Sequence, residues 1–129
     1  MSILFAPMRI NHLQLSNRFV RSATWEGMAA ADGSCTQPLS DLMGTLAEGG
    51  VGLIITGHSY VDPVGQAGPW QLGIDQDERI TGLKTMTAAV HERGGKIVMQ
   101  LAHAGLQADT GQTGMAALAP SAVSGFTKS

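Results

Sequence analysis

The chain has 129 residues, 43% hydrophobic and 14% charged, with a formal net charge of −2. That length suits one domain with a buried core and falls short of the roughly 250 residues of a complete (β/α)8 barrel. The low charge excludes a disordered tail and gives no attraction to a phosphate backbone, so no nucleic-acid partner is expected.

The single cysteine, Cys35, excludes an internal disulfide. That suits a reducing compartment, and a cytoplasmic location is expected. The start, Met1-Ser2-Ile3-Leu4-Phe5-Ala6-Pro7, has neither the basic region nor the long apolar core of a signal peptide. Gly, Pro, His and Ser cut every apolar segment, so no membrane span is expected.

Leu4 to Pro7 reads as an extended arm. Met8-Arg9-Ile10 and Leu13-Gln14-Leu15 alternate around Asn11-His12, and asparagine accepts positive φ, which predicts a short hairpin. Residues 17–22, Asn-Arg-Phe-Val-Arg-Ser, read as a strand, and Ala23-Thr24-Trp25-Glu26-Gly27-Met28 as the loop at its carboxyl end. Asp32-Gly33 marks a turn. Pro38 then opens a helix, because its fixed φ suits the first turn. Leu39, Leu42, Met43, Leu46 and Ala47 form one helical face, and Gly49-Gly50 stops it.

Val51 to Thr56 predicts a strand ending in Gly57-His58. Residues 58–76 read as a long Gly/Pro-rich loop holding Tyr60 and Trp70, and such a loop is more often functional than idle. Asp77-Glu78 places acids in the first turn of a second helix. Its expected buried face is Ile80, Leu83, Met86, Thr87 and Val90, and Arg93-Gly94-Gly95 ends it. Lys96 to Gly105 then begins as a buried strand with Ile97 and Val98 and becomes polar toward its carboxyl end, at Gln100 and His103. Past Leu106 the periodicity fades, and Pro120-Ser121 suggests an ordered loop or a hairpin.

Strand–helix–strand–helix–strand argues for an α/β fold with parallel pairing and right-handed crossovers. Either a small doubly wound domain or the first part of a barrel satisfies that pattern. In both, ligands sit beyond the carboxyl ends of the strands. Gln100 there offers a donor and an acceptor to one ligand edge, or is a core glutamine satisfied by backbone. His58 and His103 fall at corresponding strand ends and, with Glu26, make a conceivable metal set, although no His-x-His or cysteine partner accompanies them. His12 and His91 read as a turn residue and a helix-surface residue. Trp25, Tyr60 and Trp70 fall in presumed top-side loops, as loop packing or as a platform for a planar ring. Cys35 precedes a helix start, where thiolates are favoured; a plain thiol is the alternative. No Gly-x-Gly-x-x-Gly follows a strand, and Gly94-Gly95-Lys96 lacks P-loop spacing.

Leu4-Phe5-Ala6-Pro7, Asn17-Arg18-Phe19-Val20, Gly50-Val51-Gly52-Leu53-Ile54-Ile55-Thr56, Gln100-Leu101-Ala102-His103-Ala104-Gly105 and Ala119-Pro120-Ser121 together resemble the amino-terminal part of the Old Yellow Enzyme family. The resemblance runs over essentially the whole chain, in order and spacing. It implies the first three βα units of a (β/α)8 TIM barrel, with the amino-terminal hairpin closing the bottom and the barrel incomplete in this chain. Residues 1–129 would be the amino-terminal portion of a single FMN-binding domain. The implied activity is an FMN-dependent oxidoreductase using NADH or NADPH to reduce the activated C=C bond of a small molecule. The loop Ser22-Ala23-Thr24-Trp25 would pass the flavin ring, with backbone and Thr24 near its reactive nitrogen edge. His58 would abut the ring, and Gln100 would hydrogen-bond its pyrimidine edge.

The chain also departs from the family's pattern. Many relatives carry Pro-Met-Cys or Pro-Leu-Thr where Ala23-Thr24-Trp25 stands, so Trp25 replaces the side chain that tunes the flavin potential in them. Gly27 stands where some members have a substrate-contacting Tyr, and Leu106 where Arg often follows His-Ala-Gly. These differences point toward the larger enoate- and dienoyl-reductase-like members. No catalytic residue is expected within the chain. The family's His-x-x-His or His-x-x-Asn pair, its flavin-contacting Arg and its phosphate loops are expected beyond Ser129, and Gly125-Phe126-Thr127-Lys128-Ser129 falls mid-barrel. Two alternatives stand beside this reading. One is a non-catalytic truncated barrel that associates with itself or with a complementary chain, because three strands leave two open edges. The other is a metal-dependent barrel hydrolase using Glu26, His58 and His103.

Overall fold

Asn11 turns the chain at φ 52, which lets β1 (Met8–Ile10) and β2 (Leu13–Leu15) pair antiparallel with Arg9 opposite Gln14. The computed structural model describes residues 2–122, so the stretch Gly125-Phe126-Thr127-Lys128-Ser129 lies outside the described residues. Ahead of the hairpin, residues 3–5 form a short 3₁₀ turn rather than an extended arm, and the Phe5 ring meets Phe19 edge-on with centroids 5.1 Å apart.

The expected strand over 17–22 contracts to β3 (Val20–Arg21). Asn17 explains the contraction. Its side chain accepts from Phe19 N at 3.0 Å and donates to Gly50 O at 2.7 Å, which diverts the backbone from a ladder. Helix α1 spans Gln37–Glu48, with Pro38 in its first turn. Thr36 caps it: the hydroxyl accepts from Leu39 N and donates to Met28 O at 2.5 Å, tying the helix start to the preceding loop. The helix stops at Gly49, and Gly50 follows at φ 81, a value that suits glycine.

Strand β4 runs Leu53–Tyr60, four residues past the predicted end at Thr56, so the loop predicted from residue 58 begins instead at Val61. Gly57, His58 and Ser59 look like loop residues in the sequence. Yet Ser59 and Tyr60 are buried, and Tyr60 also pairs in parallel with Gly73 as the chain returns. Helix α2 (Ile80–His91) follows a 3₁₀ turn over Asp77–Arg79. Met86 and Val90 are buried as expected, whereas Ile80 is 44% exposed and Arg79 takes the inward place. Strand β5 is Ile97–Ala102. Past it come a 3₁₀ turn at Gly105–Gln107 and the short α3 (Thr110–Thr113), with Pro120 and Ser121 in a bend.

Among the described residues the main sheet has the order β3-β4-β5, all parallel. Leu39, Met43 and Ala47 of α1 and Met86 and Val90 of α2 cluster on Ile54 of β4. Full burial of each large apolar side chain here contributes about 1.5–3 kcal/mol. The opposite sheet face is open: Val20 and Val98 are 48% and 43% exposed, while on the helix-bearing face Leu101, near the end of β5, is 63% exposed. The strand beginning at Ile97 is therefore part-buried rather than buried as predicted: Ile97 and Met99 pack against the helix-side core, and Val98 does not. It is one edge of the sheet.

Candidate functional site

Three segments converge at the carboxyl ends of the strands. The loop after β3 carries Ser22, Ala23, Thr24 and Trp25, β4 carries His58, and β5 carries Gln100. His58 and Gln100 are register partners, and the parallel ladder between β4 and β5 is irregular just before them, between Ile55 and His58. A bulge of this kind re-aims a side chain and is common beside functional sites.

The Gln100 side-chain amide has no hydrogen-bond partner among the described residues; only its backbone N is engaged, by Thr56 Oγ1 at 3.3 Å. The alternative of a core glutamine satisfied by backbone therefore falls, because the side chain is exposed on the edge strand. The His58 ring likewise makes no hydrogen bond among the described residues, while its carbonyl accepts from Gln71 Nε2 at 3.1 Å. Trp25, 49% exposed, lines a cavity of about 170 Å³ together with His58, Ala67 and Gly68. Ser22 and Thr24 are exposed and Ala23 is half-buried. Thr24 folds its hydroxyl back onto Ser22 O at 3.1 Å, which stiffens the loop.

The other aromatic residues separate from this group. Tyr60 is not a loop platform: it is 3% exposed within β4, and its hydroxyl donates to Asp32 O at 3.0 Å. Burial pushes its phenol pKa up, with the Asp75 charge adding to the effect. Trp70, 54% exposed, lines a different cavity with Met28, Ala29, Thr36 and Pro38.

The conceivable metal set of Glu26, His58 and His103 does not assemble. The His103 ring lies so close over Gly65 that a Cβ there would overlap it, and its Nδ1 accepts from Gly105 N at 3.0 Å. The Glu26 carboxylate is ion-paired to Arg21 at 2.7 Å. Among the described residues no group of three or more His, Cys, Asp or Glu side chains could hold a metal. Cys35 is a plain thiol rather than a helix-start thiolate, because burial pushes its pKa above the ordinary value and only the Ser40 hydroxyl opposes that.

Buried polar supports give the sequence no local signal. Arg79, 7% exposed, donates to Asp75 Oδ1 and Asp32 Oδ2 at 3.3 Å each, to Ser34 Oγ at 2.8 Å, and to Asp32 O. It thereby ties the loop after β3 to the start of α2. Ser34 N and Oγ both donate to the Asp32 carboxylate and, with Arg79, hold its pKa below the ordinary value. Gln71, 1% exposed, bonds Ala67 N and His58 O and fixes the loop over His58.

A parallel α/β sheet whose polar groups gather beyond the strand ends is the architecture of a ligand-binding α/β enzyme. Residues 3–129 match the NADH:flavin oxidoreductase / NADH oxidase family, and the chain belongs to that family. It is 42% identical over 122 residues to an NADH oxidase of Thermoanaerobacter brockii, covering 93% of this chain and 19% of that protein. Its structure is similar to an old yellow enzyme homologue from Zymomonas mobilis, with TM-score 0.87 and 30% identity over 95% of this chain and 34% of that one. It is also similar to morphinone reductase in complex with tetrahydroNAD, with TM-score 0.85 and 27% identity over 95% of this chain and 34% of that one. The chain thus spans about a fifth of the NADH oxidase and about a third of these two structures.

Proposed function

We propose that this chain supplies the flavin-ring end of an FMN-dependent oxidoreductase that uses NADH or NADPH to reduce the activated C=C bond of a small molecule. In this reading residues 1–129 are the amino-terminal portion of a single FMN-binding (β/α)8 barrel. They contribute its first three βα units, and the β1–β2 hairpin covers the bottom. The observation that carries the reading is the pairing of His58 with Gln100 at adjacent strand ends, with Trp25 lining the cavity that His58 lines.

The residues present fit the ring of FMN. Gln100 holds out a free amide, and an amide can donate to one atom and accept from another on the same heterocycle edge. His58 sits one strand away with an uncommitted ring, and Ser22 to Trp25 form the adjacent wall. When bound, FMN supplies the redox chemistry, accepting hydride from the nicotinamide and passing it to the alkene. The chain's own residues position that ring and shape the space over it. Gln100 fixes the pyrimidine edge, His58 abuts the ring, and Trp25 limits what approaches from above. The phosphate contacts and the donor that stabilises charge on the substrate carbonyl are assigned to polypeptide outside this segment, in keeping with the greater length of the relatives. The open sheet face bearing Val20 and Val98, together with Leu101 exposed on the helix side of the edge strand, supports association with the remaining barrel or with a second copy.

The test is to purify the complete protein, release any flavin by denaturation and identify it. The preparation is then reconstituted with FMN, and NADH or NADPH is added anaerobically with an enone acceptor. Bound FMN that bleaches with nicotinamide and recovers with the enone is the expected result. A protein that neither retains nor takes up FMN refutes the reading.

A further inference from the structure

The irregularity in β4 needs partners that the sheet does not provide. Between Ile55 and His58 the ladder to β5 slips, and the polar groups around Thr56 and Gly57 lose regular pairing. Two side chains replace it. On the β5 side, Thr56 Oγ1 accepts from Gln100 N at 3.3 Å and donates to Gly57 O at 2.8 Å. On the β3 side, Glu26 Oε1 accepts from Gly57 N at 3.2 Å. The carboxylate is in turn held by Arg21 Nη1 at 2.7 Å, and the two side chains are 18% and 9% exposed for Arg21 and Glu26. The same guanidinium donates to Ile55 O at 2.9 Å and to Thr24 O at 3.2 Å. The fit leaves no spare room: a Cβ on Gly57 would overlap the Glu26 carboxylate and sit 2.7 Å from Thr24 O. One ion pair therefore touches the backbone of the loop Ser22–Trp25 and the backbone of β4 at the start of its slip and within it, at Ile55 O and Gly57 N, directly before His58.

We propose that Arg21 and Glu26 are positioning residues for the flavin site. Their ion pair locks the loop Ser22–Trp25 to the slip in β4 and so sets the placement of His58 and Gln100. The proposal rests on the functional reading above, and its test is arranged to separate the two.

The first arm uses the complete protein without flavin. Hydrogen exchange at the Gly57 amide should accelerate about tenfold or more in Glu26→Ala, which deletes the acceptor. Glu26→Gln keeps an oxygen at that place and should retain most of the protection. The second arm uses the FMN-loaded protein. Glu26→Ala and Arg21→Met should weaken FMN binding about tenfold and alter the visible circular dichroism of the flavin, with Glu26→Gln closer to wild type. Unchanged FMN affinity and flavin dichroism in Glu26→Ala and Arg21→Met, alongside lowered melting temperatures, would overturn the proposal and leave a purely structural ion pair. Should Glu26→Ala fail to fold, Glu26→Gln and Arg21→Met decide by the same readings. Should wild type take no FMN, the functional reading fails and the exchange arm alone decides whether the lock exists.

Discussion

Gln100→Ala separates binding from folding unusually well. Its side chain is exposed on β5 and its amide bonds nothing among the described residues, so truncation breaks no protein hydrogen bond and opens no buried cavity. The flavin-free protein should change stability by no more than about 0.5 kcal/mol, as for other surface substitutions. With FMN bound, the same truncation leaves a desolvated donor and acceptor on the ring without partners. That costs about 1–3 kcal/mol, a roughly 5- to 150-fold weaker dissociation constant. Gln100→Glu keeps the volume but loses the donor arm, and should fall on the weak side as well. The assay is quenching of FMN fluorescence against flavin-free complete protein, paired with a denaturant melt of each variant. An unchanged dissociation constant in Gln100→Ala would remove this residue from the site. A large loss of flavin-free stability would show that the amide serves the fold, against the geometry described above.

Trp25→Cys should shift the flavin reduction potential or the range of enones accepted, and titrations and substrate panels identical to wild type would reduce Trp25 to loop packing. Arg79→Met leaves Asp75, itself 7% exposed, without its cation, and should destabilise the protein by about 3–5 kcal/mol in denaturant melts. Adding Asp75→Asn should recover part of that loss, and strict additivity of the two changes would contradict the pairing. The Asp32 carboxyl titrates below its ordinary 3.8 in the fold, so the stability it contributes is complete above that value and is lost as the pH falls through the lower folded value. Asp32→Asn should therefore flatten the acid limb of the melting-temperature profile and leave the slope above pH 6 alone. Residues 1–129 expressed alone should self-associate through the open sheet face and bind FMN weakly; a monodisperse monomer with micromolar FMN affinity in fluorescence quenching would refute the assignment of the phosphate contacts to polypeptide outside this segment.

Local signals in the sequence located the elements where one residue type decides the backbone. Asn11 marks the hairpin, Pro38 and Gly49-Gly50 bracket α1, and the spacing of Met86 and Val90 finds the inner face of α2. The reading faltered where distant groups decide. Gly57-His58-Ser59 has the composition of a loop, yet it is strand because His58 and Ser59 pair with Gln100 and Leu101 of β5, and Tyr60 beyond them pairs with the chain returning at Gly73. Nothing local marks Arg79 for burial; its place is set by Asp32, 47 positions away. Glu26 suggests a metal ligand until Arg21 and Gly57 both claim its Oε1. Val98 reads as buried from its apolar run, yet it is 43% exposed, because β5 is an edge strand and its face away from the helices is open among the described residues.

The loop over His58 begins and ends at a closed gate. Tyr60 N donates to Leu72 O at 3.0 Å and Ile74 N to Tyr60 O at 2.9 Å, so residues 61–72 leave and rejoin the sheet at a single point. The base is pinned before the tip starts, and inside it Gln71 bonds Ala67 N and His58 O, so a change in length around Gly68 and Pro69 reaches β4 through Gln71. Lengthening a loop held in this way is thermodynamically mild, about 0.6 kcal/mol for each doubling. Gly68, with open space where a Cβ would stand, lines the same cavity as Trp25 and His58. The tip is therefore a place where an insertion that keeps the Gln71 bonds can remodel the roof of that cavity while the strand ends beneath keep their register.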